Sequence, residues 1–306
     1  MLRPILRIPH AGASLRRAAF TRSYHSVPTI DHFKEDEGVP GLLSPTGYST
    51  AWTRYMKHVT DKLNIVTAGT EYEQQDALPI LKSAARDPAQ AAVFNYASMA
   101  HNNHFFFENL VNLQTLYEQS AGQRRPDETS EQQQPEEIQI ASSEERISDR
   151  LKKDLERNFS SVETLRREFL ATAKGMFGPG FVWLVRNAQT QDLRILTTYL
   201  AGSPYTAAHW RRQGVDLNTS SANQPVVGSY FDRLQAAAGN SGGQFTAQAP
   251  GGVDVVPLLC LNTWEHVWLT DYGIEGKGDF VEQWWEIIDW NKVERLAVPE
   301  RRNDFK

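Results

Sequence analysis

The forty residues from 257 to 296 read PLLCLNTWEHVWLTDYGIEGKGDFVEQWWEIIDWNKVERL, and this stretch decides the fold. Five of the eight tryptophans of the chain fall inside it. An apolar run from Pro257 to Leu261 precedes Trp264, Glu265 and His266. A short apolar run of this length is typical of a buried strand. We therefore expect a buried strand that leads into an aromatic-rich helical segment.

The composition of the whole chain is that of a globular protein. It has 306 residues, of which 40% are hydrophobic and 23% are charged. This length is sufficient for two ordinary domains. No apolar run approaches the roughly 20 residues that span a bilayer, so no membrane contact is expected. The single cysteine, Cys260, excludes a disulfide framework and a cysteine-based zinc site, and we expect an inert buried thiol.

The first 30 residues differ in composition from the rest of the chain. They contain no acidic residue before Asp31, and five arginines alternate with apolar and serine residues. This composition is typical of a mitochondrial transit peptide, which we predict at residues 1–26 with cleavage near Ser23 to Ser26. It indicates location in the mitochondrial matrix. The alternative interpretation is a disordered basic tail.

The charge balance argues against unspecific nucleic-acid binding as the main activity. The formal net charge is −5, and removal of the five N-terminal arginines makes it five units more negative. An acidic protein surface disfavours unspecific phosphate binding. Contact with RNA must then come from local basic patches. The candidate residues are Arg166, Arg167, Arg211, Arg212, Arg301 and Arg302.

The N-terminal half predicts a helical hairpin. Apolar residues recur at three- and four-residue spacing from about Tyr48 to Leu63, which predicts a helix, and a second helix is predicted from about Pro88 to Leu116. Together they define an N-terminal domain at residues 31–118. Residues 119–146 are rich in Gln, Glu and Ser, and they predict a disordered linker.

The C-terminal half predicts a mixture of helices and strands. A helix is expected to begin near Ile147, and Ser160 followed by Glu163 predicts a capping box for the next helix, from about Val162 to Met176. Two candidate strands follow, at Phe181–Arg186 and Leu193–Tyr199. Small and polar residues then predict a long inserted loop at 203–252. The C-terminal domain is placed at residues 147–300.

Four segments of the chain resemble the iron/manganese superoxide dismutases. PLLCLNTWEHVWLTDY at 257–272 is similar to the family signature P-L-L-x-x-D-x-W-E-H-A-Y-Y-x-D-Y. FGPGFVWLV at 177–185 and AGSP at 201–204 are similar to F-G-S-G-W-x-W-L-V and N-x-G-T/S-P, and FNYASMAHNNHFFFENL at 94–110 matches the family's second helix without a gap. The resemblance implies an α+β fold, with an N-terminal helical hairpin and a C-terminal α/β domain that contains a small antiparallel sheet.

The resemblance also implies where metal ligands would stand. The family holds a redox metal through three histidines and one aspartate. Those four positions are occupied here by Ala51, Asn103, Asn262 and His266. Alanine cannot ligate a metal, and an amide lacks the charge that neutralises a trivalent ion. No metal, cofactor or catalytic residue is therefore expected, and His266 is expected to be a hydrogen-bonded core or interface histidine.

Two nearby features leave alternatives open. His101 and His104 stand three residues apart on a predicted helix and could share a metal, but making His104 the family ligand needs a deletion that would rotate the rest of the helix by about 100°. In the dismutases the glutamate of the W-E-H motif pairs with the ligand histidine of the other subunit. The resemblance therefore implies that Glu265 and His266 lie at a dimer interface, whereas the alternative is a local hydrogen bond or an exposed carboxylate at Glu265.

A mitochondrial chain of this kind is similar to the superoxide-dismutase-like proteins of the mitochondrial small ribosomal subunit. The resemblance implies a non-catalytic structural role that supports mitochondrial translation. The implied partners are small-subunit ribosomal proteins, rRNA and a paralogous dismutase-like subunit that forms a heterodimer with this chain. Two alternatives stay open: a mitochondrial iron/manganese superoxide dismutase with altered ligation, and a matrix scaffold or assembly factor.

Overall fold

The computed structural model describes residues 25–85, 87–113, 116, 142–205, 208 and 254–298. Several sequence predictions lie outside these residues. They are almost all of the transit peptide, most of the linker, most of the inserted loop, and the arginines at 211, 212, 301 and 302. Within the described residues, no helix is long and apolar enough to cross a bilayer.

The N-terminal helices form the predicted hairpin. Helix α1 (Pro45–Tyr48), a π-helical turn (Ser49–Arg54) and helix α2 (Tyr55–Thr67) follow one another directly, which confirms the predicted helix from Tyr48 to Leu63. Helix α2 packs against α4 (Ala91–Glu108). Helix α3 (Ala77–Ala84), which we did not predict, also packs on α4.

Helix α4 ends earlier than predicted, at Glu108 rather than near Leu116. The reason is that the backbone after Glu108 forms hydrogen bonds with residues 287–289. The Asn109 carbonyl accepts from the Asp289 N–H at 2.8 Å, and the Val111 N–H donates to the Ile287 carbonyl at 2.8 Å. The fully buried Asn109 side chain also donates to the Leu258 carbonyl. These long-range bonds replace the i→i−4 pattern that a longer helix would need.

In the described part of the C-terminal region, helices α5 and α6 precede the three strands of a sheet along the chain, and three more helices follow the strands. Their bounds are α5 Asp149–Phe159, α6 Val162–Gly175, β1 Gly180–Asn187, β2 Leu193–Tyr199, β3 Val255–Asn262, α7 Glu265–Tyr272, α8 Lys277–Glu286 and α9 Trp290–Ala297. The strand order is β2-β1-β3 and both pairings are antiparallel, which confirms the predicted sheet.

The cap of α6 is Ser161, so the predicted capping box at Ser160 is wrong. The Ser161 hydroxyl accepts a hydrogen bond from the Thr164 N–H at 3.0 Å. Ser160 instead ends α5 with a left-handed backbone, at φ 68°. A serine in that conformation cannot present the extended backbone that an N-cap requires.

One large core joins the two halves of the protein. It contains residues from the hairpin, such as Met56 and Phe106, and residues from the sheet and the last helices, such as Trp183, Leu259 and Trp284. A smaller cluster lies around α3 and the start of α4. Every residue of β1 is buried, because the strand is covered on both faces. Cys260 is fully buried, and this burial raises the pKa of its thiol well above the usual value.

Candidate functional site

Three of the four positions that the resemblance assigns to metal ligands meet in the core. The Asn103 Nδ2 group donates to the Ala51 carbonyl at 3.0 Å. The Asn262 Nδ2 group donates to the Asn103 Oδ1 atom at 2.9 Å. The Asn262 Oδ1 atom in turn accepts from the Trp264 N–H at 2.9 Å. We call this connected set the asparagine relay; it consists of Ala51, Asn103, Asn262 and the Trp264 N–H.

The elements that carry the relay explain why its members converge. Ala51 lies in the π-helical turn, Asn103 lies on α4, and Asn262 is the last residue of β3. Ala51, Asn103 and Asn262 are fully buried. A buried amide is costly unless its groups are hydrogen-bonded. The relay provides a partner for both amide oxygens and for an N–H of each amide, so it stabilises a polar core at this point.

The residues of the relay do not fit a redox metal. Both amide oxygens already accept hydrogen bonds from N–H groups, and neither amide carries a negative charge. Iron and manganese sites of this kind need imidazole nitrogen and anionic oxygen ligands. Across the described ranges, no group of three or more His, Cys, Asp or Glu side chains is arranged to hold a metal ion.

Large aromatic side chains lie on or next to the strand that ends at Asn262. Trp183 is fully buried, its Nε1–H donates to the Thr198 hydroxyl at 2.9 Å, and its ring lies 5.8 Å from that of Phe105. Trp264 is only partly buried, and its Nε1–H donates to the Leu200 carbonyl at 3.3 Å. Burial of an aromatic ring contributes a few kcal/mol, so Trp183 contributes more to this part of the core than Trp264.

His266 lies beside the relay but takes no part in it. Its ring stacks on Tyr55, with centroids 3.9 Å apart and an interplanar angle of 17°. Burial lowers the pKa of His266 to about 4, so the ring is neutral at physiological pH. Its buried Nε2 atom has no hydrogen-bond partner in the part of the chain that the structure describes, so a hydrogen-bonded core or interface histidine stays a prediction. The stacking partner Tyr55 was missed, because helical periodicity alone does not show which rings meet across elements.

Glu265 stands at the first position of α7 and is partly buried. No described residue forms a hydrogen bond or an ion pair with its carboxylate. Its charge acts on Lys277: burial lowers the pKa of the Lys277 ammonium, and the Glu265 charge opposes this shift. The Lys277 ammonium donates its hydrogen bond to the Met176 carbonyl instead, at 2.6 Å. Glu265 is therefore a carboxylate with an electrostatic neighbour but without a hydrogen bond or ion pair in the described chain.

An exposed apolar surface adjoins Glu265. The Phe177 side chain is 96% exposed and Leu200 is 60% exposed. The Leu200 N–H donates to the Pro179 carbonyl at 3.0 Å, and the Leu200 carbonyl accepts from Trp264, so Leu200 joins Trp264 to the turn that follows Phe177 in the chain. We call Phe177, Leu200, Trp264 and Glu265 the Phe177 face. Exposed large apolar groups that cluster mark interaction surfaces, and sequence reasoning missed this one.

The histidines His101 and His104 do not converge on the relay. His101 forms a hydrogen bond with the Tyr205 hydroxyl at 2.8 Å, and burial lowers its pKa to about 4. His104 lies 3.5 Å from the Glu108 carboxylate. Glu108 in turn pairs with Lys292 at 2.9 Å. The two histidines therefore have separate partners and separate structural roles.

The two described arginines among the RNA candidates differ in their surroundings. Arg166 lies 3.1 Å from the Glu282 carboxylate and within 4 Å of two further glutamates, Glu144 and Glu286. Arg167 is exposed. A guanidinium surrounded by carboxylates is poorly placed to bind phosphate, so Arg167 is the better candidate of the pair.

Comparison with known proteins points to two related groups. Residues 147–214 and 235–296 match the family "Iron/manganese superoxide dismutases, C-terminal domain". The chain is 27% identical to small ribosomal subunit protein mS43 of Schizosaccharomyces pombe over 92% of this chain and 87% of that protein. It is 25% identical to small ribosomal subunit protein mS42 of the same organism over 70% of each chain. It is 21% identical to an iron superoxide dismutase of Helicobacter pylori over 82% of this chain and 80% of that protein.

Proposed function

We propose that this chain, which has the fold of the iron/manganese superoxide dismutases, is a non-catalytic structural component of the mitochondrial small ribosomal subunit. The observation that carries the proposal is the hydrogen bond between Asn262 and Asn103, at 2.9 Å. It joins two amides in the core at positions where the resemblance implies an aspartate and a histidine. A dismutase needs those ligands, whereas a structural subunit needs only a satisfied core.

The ribosomal and mitochondrial parts of the proposal have separate support. Two relatives with 25–27% identity are named as small ribosomal subunit proteins, and they align with most of this chain. The iron superoxide dismutase of Helicobacter pylori is more distant, at 21% identity. The arginine-rich and acid-free sequence before Asp31 supports import into the mitochondrial matrix.

The Phe177 face supports a pairing role. We infer that this chain binds a second dismutase-like chain through Glu265 and His266, with Phe177 and Leu200 as the apolar part of the contact. A partly buried carboxylate without a described partner gains a favourable contact when a cationic or hydrogen-bond-donating side chain approaches it. Two relatives of this chain are named as small ribosomal subunit proteins of one organism, and this favours a paralogue over a second copy of this chain.

Contact with rRNA is proposed for one described residue. Exposed Arg167 is the described candidate for contact with rRNA phosphate, and its neighbour Arg166 holds α6 against α8 through carboxylates. Replacing Arg167 with Gln should weaken the association with the small subunit without lowering the melting temperature. An unchanged association would remove Arg167 from the RNA contacts.

A sucrose gradient of mitochondrial lysate tests the main proposal. We expect the chain to sediment with small-subunit rRNA, and to stay with it after mild salt washing. Sedimentation at the top of the gradient, or only with precursor particles, would instead favour the scaffold or assembly-factor alternative. Stoichiometric iron or manganese together with superoxide dismutation by the purified protein would favour the dismutase alternative.

Substitution of the Phe177 face tests the pairing. Glu265→Gln and Phe177→Ser should each reduce co-purification of the partner chain while leaving the melting temperature of the isolated chain nearly unchanged. Glu156→Gln is the matched control, because Glu156 is an exposed glutamate on α5. Full partner recovery with Glu265→Gln and Phe177→Ser would show that pairing uses another surface.

A further inference from the structure

The described chain begins with a residue that is held firmly on α2. The His25 N–H donates to the Asn64 Oδ1 atom at 2.9 Å, and the Asn64 Nδ2 group donates back to the His25 carbonyl at 2.9 Å. One asparagine side chain therefore bonds both backbone groups of His25. This reciprocal pair fixes the direction in which the N-terminal segment crosses α2.

The imidazole of His25 adds a third contact. Its Nε2 atom lies 2.9 Å from the Thr67 hydroxyl. That hydroxyl donates its own proton to the Leu63 carbonyl at 2.8 Å, so the imidazole N–H is the donor to Thr67. Only 9% of His25 is exposed. His25 is therefore part of the folded body and not an exposed tail residue.

The residues that follow His25 enter the main core at once. Ile30 and Phe33 are buried members of the large core, and Val27 packs against it. The basic segment of the sequence, in contrast, ends at Arg22. Only Ser23 and Tyr24 separate the last of its arginines from His25. Composition alone places the cleavage anywhere from Ser23 to Ser26. The contacts of His25 favour a position that keeps His25 in the mature chain.

We propose that the presequence is removed at one of the three peptide bonds between Arg22 and His25, so that the mature chain keeps His25. A matrix endopeptidase would add water across the bond, leaving a carboxylate on the released peptide and an α-ammonium on the mature chain. A cut before His25 leaves an N–H donor for Asn64. Glu73 and Asp76 lie close enough to act electrostatically on His25, and they favour a new positive charge there. A cut after His25 removes all three hydrogen bonds.

The first test maps the N-terminus of the protein from purified mitochondria by N-terminal labelling and mass spectrometry. The expected first residue is Ser23, Tyr24 or His25. A first residue at Ser26 or beyond, or retention of Met1 in the mitochondrial fraction, would overturn the proposal. The proposal depends on the mitochondrial location proposed above. Absence of the protein from mitochondria would contradict the location, whereas a mitochondrial protein that begins at Ser26 or beyond would contradict only the cleavage position.

The second test does not depend on location. Chains that begin at Ser23, His25 and Ser26 are compared by thermal unfolding. The Ser23 and His25 forms should melt together, and the Ser26 form should melt at least about 3 °C lower, because it loses one buried and two partly buried hydrogen bonds. Asn64→Ala should lower the melting temperature of the His25 form but add little to the Ser26 form, since both changes remove the same bonds. Equal melting of the His25 and Ser26 forms would refute a structural role for His25.

Discussion

Replacing Asn103 with Ala would test the asparagine relay directly. The substitution removes the donation from Asn103 to the Ala51 carbonyl and leaves the Asn262 Nδ2 group without its acceptor. Both asparagines are fully buried, so solvent does not substitute for the lost partner in the native packing. A stranded buried donor costs about 1–3 kcal/mol, and a lost carbonyl contact adds about 1 kcal/mol. We expect Asn103→Ala to lower the free energy of unfolding by about 2–4 kcal/mol.

A double-mutant cycle with Asn262→Ala separates the relay from simple loss of packing. Asn262→Ala leaves the Asn103 Oδ1 atom and the Trp264 N–H without their partner, and it should cost a similar amount. The double variant loses the bond between the two asparagines only once. It should therefore be less destabilised than the sum of the single variants by about 1–3 kcal/mol.

Urea unfolding followed by tryptophan fluorescence measures all three variants, with and without a chelator. Asn291→Ala is the matched control, because Asn291 is an exposed asparagine on α9. It should change the free energy of unfolding by no more than about 0.5 kcal/mol. Additive costs for Asn103→Ala and Asn262→Ala, or a cost below about 1 kcal/mol for Asn103→Ala, would refute the relay as a stabilising network.

Three further predictions address the metal, pH and capping. Purified protein should contain far less than one iron or manganese per chain by elemental analysis, and a chelator should leave its melting temperature unchanged. Burial lowers the pKa of His101 and His266 to about 4 in the folded chain, whereas a histidine of the unfolded chain takes up a proton near pH 6.5. The unfolded chain therefore binds more protons as the pH falls below about 6.5, and the protein should be less stable at pH 5 than at pH 7. His266→Phe should reduce this pH dependence in urea titrations. Ser161→Ala should cost about 1 kcal/mol through loss of the N-cap, whereas Ser160→Gly should be neutral or stabilising in the same assay, because glycine adopts the left-handed backbone at no steric cost.

The last helices and the sheet could be predicted from the sequence, because their signals are local. An apolar run identified β3, and two candidate strands coincide closely with β1 and β2. The aromatic-rich segment after β3 was predicted as one helix, whereas the structure divides it into α7, α8 and α9. The resemblance aligns residues one by one, and it predicts that positions 51, 103 and 262 stand where the family has metal ligands. Cys260 was placed in the core for the same local reason, and the structure buries it fully.

Other features depend on atoms that are far apart in the sequence, so they could be seen only in the tertiary structure. Helix α4 stops at Glu108 because the Asn109 and Val111 backbone groups bond to residues 287–289, about 180 positions later. The relay links positions 103 and 262, and no periodicity in either segment shows that the two amides share a hydrogen bond. The local pattern of the sequence was sufficient to identify most of the helices and strands. Because α4 packs against β3, the side-chain amides of Asn103 and Asn262 lie 2.9 Å apart and form a hydrogen bond. Only the folded chain brings the two amides to this distance.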